Sequence, residues 1–492
     1  MRRAQLPGLP LVWVLAVLAW AILPAPAARA QATLTAAQKD HEIADLKNEI
    51  KLLEQRVDAM EQLDQKVKVI DRKLEVQAET AQVKAQSAPI INADDKGFWF
   101  ASPDGNYKVQ FGGIVQADGR FFTTGNDSTG STFYLNRARP ILTGTLWKYY
   151  DFNFTPDFGQ GKVVLQDAYI NDHMFDDANI QVGKYKAPFD LERLQVDRYL
   201  EYSQRSEIQN LVPNRDIGAE LFSNTLFDNR LTYQVALMNG VPNNTASVDG
   251  DNNDGKDFVG RLFATPFVNS DNDWLTGFGA GFAATYGDEF NNTISTYKTY
   301  GQQTWFTYNK GVTASGMRFR YEPQLYYYHR QFGLMAAFAS DRHALNLNGI
   351  VTRGKTPVYV NNYSTFTDTG YLAQLSYVLT GEDATFRGVT PRHPFDPTHG
   401  SWGAFDVVAR ISNVAVDSGV FKLGYANANV SANNATEYAF GINWYLNNNV
   451  KWQIDYARTF FNGGAGSSPK FPQDRPDEGV FETQLQISFE RK

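Results

Sequence analysis

The sequence has 492 residues, a formal net charge of −7 and no cysteine. The acidic balance argues against a nucleic-acid-binding protein, and the lack of cysteine excludes a fold held by disulfide bonds. After residue 30 the sequence contains no run of about 18 apolar residues, so it predicts no transmembrane helix there. Because 14% of the residues are aromatic and 39 are glycine, the composition fits a transmembrane β-barrel, whose strands are apolar on one face only.

Residues 1–30 have the pattern of a secretory signal peptide. Arg2 and Arg3 precede an apolar run from Leu11 to Leu23, which is too short for a spanning helix, and Ala28-Arg29-Ala30 follows. Removing this segment takes away three arginines and no acidic residue, which leaves 43 basic and 53 acidic residues and a net charge of −10. We therefore expect an exported, acidic protein.

Residues 36–86 contain no aromatic residue and carry apolar residues at alternating spacings of three and four. This spacing predicts a helix with a narrow apolar stripe, typical of a self-associating coiled coil. A lone amphipathic helix lying on the barrel is the alternative. Residues 87–96, which include Pro89, are predicted to be a linker. The stripe consists of Ile43, Leu46, Ile50, Leu53, Val57, Met60, Leu63, Val67, Ile70 and Leu74.

From Gly97 onward the apolar residues recur every second position, which predicts β-strands over residues 97–492. The clearest hairpin joins Tyr438–Leu446 to Val450–Tyr456 through three asparagines, Asn447–Asn449. A soluble β-sandwich also alternates in this way. Aromatic residues near strand ends and charged residues inside the polar faces favour a membrane barrel with a wet lumen.

Four long polar stretches separate the predicted hairpins. We expect these to be loops at one end of the barrel, with short turns at the other end. The stretches are Asn239–Asp257, Asp288–Ser315, Gly381–Ser401 and Asn462–Gly479.

Five segments in order along the barrel resemble the phosphate-selective porin O and P family. They are Lys108–Arg120, Asn136–Arg139, Val182–Arg193, Ala373–Glu382 and Gly441–Asn447. The resemblance implies about 16 antiparallel strands, a trimer in the bacterial outer membrane, and a third long connection that folds into the lumen. Here that connection would be roughly Lys184–Asp216, in which basic and acidic residues alternate. Without the resemblance, the same residues would indicate a charge-balanced surface loop.

The resemblance implies a water-filled channel for passive diffusion of small anions, with phosphate or polyphosphate among the candidate solutes. Fixed cations on the wall offset the dehydration of an entering anion, and arginine suits phosphate because its planar donors can grip two oxygens. Neither a catalytic residue nor a metal or cofactor is expected. The predicted channel-lining cations are Lys108, Arg120, Arg137, Arg139, Lys184, Lys186, Arg193, Arg198, Arg205, Arg261, Arg318, Arg320 and Arg410.

The sequence departs from the phosphate-selective members at two positions. Ile114 stands where they carry an arginine after a Gly-Gly pair, and Asn136 replaces the first of two adjacent arginines. These changes predict a pore that favours anions with less selectivity for phosphate.

Two other functions are compatible with an outer-membrane barrel. A hydrolase would need a nucleophile and a base, but no Gly-x-Ser-x-Gly motif occurs, and His393 and His399 are poorly spaced as metal ligands. A structural tether would use the coiled coil to reach from the outer membrane toward the cell wall. The other expected partners are outer-membrane lipid and further copies of the chain in a homotrimer.

Overall fold

The computed structural model describes residues 36–94, 97–125, 130–240, 243–244, 254–353, 356–464 and 474–489. The predicted signal peptide, residues 1–30, lies outside the described residues. The chain divides into two units, Met1–Gln86 and Ser87–Lys492. In the described part of the chain, no helix is both long and apolar enough to cross a membrane.

The described residues of the first unit, 36–86, lie in a helix, α1, which runs over Ala36–Ser87. It is rich in Ala, Leu, Glu, Lys and Gln, which are strong helix formers, and it ends just before Pro89, which disfavours helical backbone at the preceding residue. The predicted helix is therefore confirmed. Its apolar stripe is exposed in the single chain: Leu53 is 52% exposed and Met60 is 70% exposed.

The predicted linker contains regular structure. Strand β1, Ile90–Asp94, pairs in antiparallel fashion with β2, Gly97–Ala101, and β2 also pairs with β3, Lys108–Thr124. Ile90 and Ile91 are β-branched, which favours extended backbone, and they pair with Ala101 and Phe100 of β2. Pro89 marks a boundary between helix and strand.

Sixteen antiparallel strands in the described residues form the closed barrel, as predicted. Strand β3 pairs with the last strand, β20, from Gly113–Phe489 to Thr124–Gly479, which closes the sheet. A hairpin of two short strands, β12 (Tyr297–Lys298) and β13 (Thr304–Phe306), lies outside this sheet. The other barrel strands are β4 (Thr132–Leu146), β5 (Tyr150–Asp157), β6 (Val164–Phe175), β7 (Ala178–Lys186), β8 (Arg215–Thr225), β9 (Leu231–Met238), β10 (Asp257–Ala264), β11 (Phe278–Asn292), β14 (Val312–His329), β15 (Phe332–Arg353), β16 (Thr356–Val378), β17 (Ala404–Ala415), β18 (Ala432–Tyr445), β19 (Val450–Gly463) and β20 (Glu478–Phe489).

The apolar faces point outward. On β18, Phe440 and Ile442 are 62% and 48% exposed, whereas the alternate residues Glu437 and Asn443 are fully buried. A soluble sandwich would bury the first pair and expose the second. The observed pattern is that of a barrel whose outer face lies in lipid and whose lumen is polar.

One long connection lies at the end opposite to the one expected. Residues 379–403 join β16 to β17 beside the short turn that joins β18 to β19, and the Phe395 amide donates to the Leu446 carbonyl at 2.6 Å. The expectation that Gly381–Ser401 shares one end with the other long loops is therefore wrong. Strand direction determines the end at which a connection lies, and loop length does not encode it.

Residues 187–214, here called the inward loop, fold into the lumen. The loop includes helix α2, Leu191–Leu194, and two 3₁₀ turns, Asp197–Tyr199 and Glu207–Leu211. Leu191, Ile208 and Leu211 are at most 1% exposed and pack in one core with Trp305 and Phe306 of the β12–β13 hairpin. These two connections fill the part of the lumen next to β14–β18.

Polar groups of the wall hold the filling loops. Asp455 accepts from the Ser203 amide at 2.9 Å, and Glu478 accepts from the Gly301 amide at 3.1 Å. Such bonds satisfy loop amides that would otherwise be buried without a partner. The acidic residues on the lumen face of these strands therefore have a structural use.

Replacing Leu211 with alanine is expected to loosen the inward loop. Truncating a buried leucine costs about 2–5 kcal/mol because a cavity remains. We expect Leu211→Ala to lower the temperature at which the barrel loses its compact electrophoretic mobility, and to expose the loop to trypsin. Leu221→Ala is the matched control, because Leu221 is 42% exposed on the outer face of β8. Equal shifts for the two variants would contradict the anchoring role of Leu211.

Candidate channel site

Six basic residues converge where the inward loop approaches the wall formed by β4–β8. Arg137 and Arg139 lie on β4, Lys186 ends β7, and Arg215 begins β8. The inward loop contributes Arg193 and Arg205. We call these six residues the cationic cluster.

Asp197 of the inward loop lies among these cations. Its carboxylate accepts from Arg205 Nη2 at 2.6 Å and from Arg139 Nη1, and Arg137 Nε lies 3.7 Å away. Although burial raises the pKa of Asp197, the charges of Arg137, Arg205 and Arg139 together hold it well below its usual range. Asp197 therefore stays ionised at all physiological pH values.

Two further carboxylates of the wall pair with the cluster. Arg139 Nε donates to Asp157 at 2.6 Å, and Arg215 holds Asp167 with two bonds of 2.9 and 3.1 Å. The five arginines outnumber the three carboxylates, so the cluster keeps a positive excess.

Arg193 and Lys186 bind neutral oxygens. Arg193 donates to the side-chain carbonyl of Asn244 at 2.7 Å, and Lys186 donates to the Gln195 carbonyl at 2.9 Å. Burial and the nearby charge of Arg205 lower the pKa of Arg193 to about 9, which still leaves it charged at neutral pH. Neutral oxygens solvate these cations without cancelling their charge.

Two cavities meet at the cluster, and Arg139 and Arg215 line both of them. The larger, about 890 Å³, lies on the side of the long loops and is rich in asparagine and glutamine; we call it the amide-rich cavity. The smaller, about 340 Å³, lies toward the short turns and includes apolar side chains; we call it the mixed cavity. A solute crossing along this side of the lumen would pass the cationic cluster between the two.

Three predicted lining cations lie in ion pairs on the filled side of the lumen. Arg318 binds Asp341 at 2.6 Å and Glu289 at 2.7 Å, Arg320 binds Asp257 at 2.6 Å, and Arg410 binds Glu437 at 2.7 Å. All three arginines are buried. They hold strands and loops together and are separate from the cationic cluster.

The remaining predicted cations are spread around the barrel. Arg120 binds Glu482 at 3.0 Å, Arg261 donates to Gln324 and Gln234, and Lys108 lies 4.6 Å from the centre of the Trp99 ring. Arg198 donates to the Asn448 carbonyl at the short-turn end, and Lys184 is buried on β7. The structure thus brings together Arg137, Arg139, Lys186, Arg193 and Arg205 from the predicted set.

Four residues of the site were absent from the predicted set. Arg215 and Asp197 lie in the stretch that was expected to fold inward with its cations lining a constriction, so only the pairing role of Asp197 was missed. Asp157 and Asp167 lie on β5 and β6, where they share the lumen face with Thr155 and Tyr169. Continuing the two-residue period through these strands would have placed both carboxylates on that face.

A closed barrel of sixteen strands, with an apolar outer face and an inward loop beside a charged polar lumen, defines an outer-membrane porin. The family model for phosphate-selective porin O and P matches residues 108–486, and the chain belongs to this family. It is therefore a channel for anions in the bacterial outer membrane.

Comparison with known proteins gives one similar sequence and several similar structures. Porin O of Pseudomonas aeruginosa is 25% identical over 396 residues, which cover 75% of this chain and 87% of that protein. The outer membrane channel DcaP of Acinetobacter baumannii has 10% identity and a TM-score of 0.49, covering 80% of this chain and all of that one. The anion-selective porin from Comamonas acidovorans has 9% identity and a TM-score of 0.46, with 78% and 100% covered.

Removing one cation from the cluster is expected to weaken anion preference. In Arg139→Gln the arginine excess over carboxylates falls from two to one, so the chloride-to-potassium permeability ratio should drop by roughly threefold, or about 0.65 kcal/mol. The reversal potential in a salt gradient across a planar bilayer measures this ratio. Arg458→Gln is the control, since Arg458 is exposed and pairs with Asp477 away from the cluster. An unchanged permeability ratio in Arg139→Gln would mean that the cluster does not lie on the ion path.

Proposed function

We propose that small anions cross the outer membrane passively through the two cavities, and that phosphate binds at the cationic cluster. The observation that carries the proposal is the convergence of Arg137, Arg139 and Arg205 on the carboxylate of Asp197. A site that already holds one oxyanion by charge-assisted hydrogen bonds has the donors that phosphate requires.

A porin lowers no chemical barrier and acts by supplying a favourable path. An anion entering the narrow region loses part of its hydration shell, and the guanidinium groups replace the lost water contacts. The positive excess also raises the local anion concentration and the rate of capture. Because Ile114 lies at the mixed cavity in place of a cation, we infer weaker phosphate selectivity than the family pattern implies.

Asp197 competes with the permeating anion for the same donors. We expect phosphate to block chloride current through the native channel, and Asp197→Asn to shift half-maximal block to about tenfold lower phosphate, because one charge-assisted contact is worth roughly 1.5 kcal/mol. Single-channel recording in chloride with added phosphate makes the measurement. Because the arginines hold the pKa of Asp197 well below its usual range, Asp197 stays ionised during the recording, and both proteins are compared at one pH so that the charge of phosphate is the same.

Asp417→Asn is a matched control for the change of charge, because Asp417 lies in the β17–β18 connection and accepts from the Gly419 amide. Equal block in native protein and Asp197→Asn would mean that phosphate does not use these arginines. Current steps that are insensitive to phosphate would leave a porin without a phosphate site.

We propose further that three copies associate and that α1 forms a trimeric coiled coil. The exposed stripe on α1 supports this, because its apolar side chains have no cover in one chain. A helix of 52 residues spans about 78 Å, which is also long enough for a tether toward the cell wall. The two roles are compatible.

A charge within the stripe should weaken the association. We expect Ile50→Asp to shift the purified protein from trimer toward monomer in cross-linking and native mass spectrometry, because a carboxylate cannot be buried unpaired in the seam. Asn48→Asp, on the polar side of the helix, is the control. Trimers that survive Ile50→Asp intact would exclude the helix from assembly and favour the tether.

We infer no hydrolytic role. Ser401, His399 and Asp396 share one exposed loop, and His399 Nδ1 lies 2.6 Å from Asp396. The Ser401 hydroxyl, however, donates to the Pro394 carbonyl at 2.7 Å and not to the histidine. Membership of a family of channels supports the same conclusion.

A further inference from the structure

The mixed cavity combines cations with apolar side chains, unlike the amide-rich cavity. Its cations are Arg139, Lys186 and Arg215 of the cluster. Beside them lie apolar side chains from the wall and from the inward loop, which we call the apolar shelf: Ile141, Tyr169, Leu194, Val196 and Phe222. A pore for inorganic ions alone gains nothing from this surface.

Val196 is the clearest member of the shelf. It lies next to Asp197 in the inward loop, has extended backbone, and is 44% exposed although its neighbours Gln195 and Asp197 are buried. Leu194, on the preceding turn, is only partly buried and lines the same cavity. When an apolar group replaces the water against these side chains, the release of that water favours binding.

We propose that the mixed cavity binds organic anions in which a single phosphate or carboxylate group is joined to an aromatic or aliphatic body. This proposal deepens the proposed function, since the anionic group would use the cationic cluster. The head would contact Arg139, Lys186 and Arg215, while the body would cover the apolar shelf. A cavity of about 340 Å³ falls within the range of roughly 300–1,000 Å³ that is typical of small-molecule sites.

The carboxylates of the mixed cavity restrict the ligand further. Asp167 is already paired with Arg215. Within the described residues, the Glu220 carboxylate accepts a hydrogen bond from the neutral side chain of Gln234. Both carboxylates line this cavity, as does Asp197, so its lining has three acidic and three basic side chains. They would repel a second negative charge beyond the head, which disfavours long polyanions and favours an uncharged body.

The test compares phenyl phosphate with inorganic phosphate as blockers of chloride current through the full-length protein in planar bilayers. We expect the concentration of phenyl phosphate that gives half-maximal block to be at least roughly threefold below that of inorganic phosphate, because the ring buries apolar surface on the shelf. Phenol, which has the ring without the charge, should not block. Val196→Ser should remove most of the difference between the two phosphates while inorganic phosphate blocks as before.

Val430→Ser is the matched control, because Val430 is 59% exposed in the β17–β18 connection and lies outside both cavities. Equal block by the two phosphates in native protein would overturn the proposal and leave the phosphate site in place. A loss of block by both anions in Val196→Ser would also overturn it, since the valine would then shape the cluster and not the shelf. Failure of both anions to block native protein would overturn the phosphate site together with this proposal, and failure of phenyl phosphate alone would overturn this proposal only.

Discussion

The structure depends on one constraint, which is that no backbone amide or carbonyl can be left unpaired in lipid. Pairing of β20 with β3 meets this constraint by removing the last free edge of the sheet. Once the sheet is closed, alternate side chains must point either to lipid or to the lumen, so the outer face is apolar and the lumen receives nearly all of the charge. Electrostatic interactions therefore dominate the interior of this barrel. The inward loop and the β12–β13 hairpin divide it into a packed region and an open region.

On the filled side, charges are neutralised in pairs or used as acceptors for loop amides. Arg318 with Asp341 and Arg410 with Glu437 are examples of the first, and Asp455 with the Ser203 amide is an example of the second. Burying these groups costs solvation, which is offset because each is satisfied by a partner of opposite charge or by a donor. On the open side, the arginines outnumber the carboxylates that pair with them, and neutral oxygens of Asn244 and Gln195 accept from Arg193 and Lys186. The loop thus separates structural charge from charge that faces a solute.

Sequence periodicity was sufficient to predict the strands, the membrane-facing surface and the N-terminal helix, because each follows from spacing along one segment. Resemblance to a family supplied the strand number and the inward loop. Neither could say which arginines face the solute. Arg137 on β4 and Arg320 on β14 both lie on the lumen face of an alternating strand. Arg137 nevertheless lies in the cationic cluster, whereas Arg320 pairs with Asp257 under the loops. The difference arises from the path of the inward loop, and that path depends on contacts between residues far apart in sequence, such as Leu211 with the wall at Gly370. The position of connection 379–403 was wrong for a related reason, since strand direction is a property of the whole sheet.

The acidic net charge of the chain is compatible with an anion channel because charge acts locally inside a protein of this kind. A fixed charge that is paired with an opposite charge and covered by a loop contributes little to the energy of a passing solute, because the two fields largely cancel, whereas a guanidinium on the wall of the path contributes directly. A carboxylate such as Glu437 lies in the packed side, whereas Asp157, Asp167 and Asp197 pair with the arginines that face the solute. Selectivity then follows from the arrangement of a few residues around the path. Asp197 sets how strongly those arginines bind an incoming anion, and the side chain of Val196 beside it faces the same solute with apolar surface.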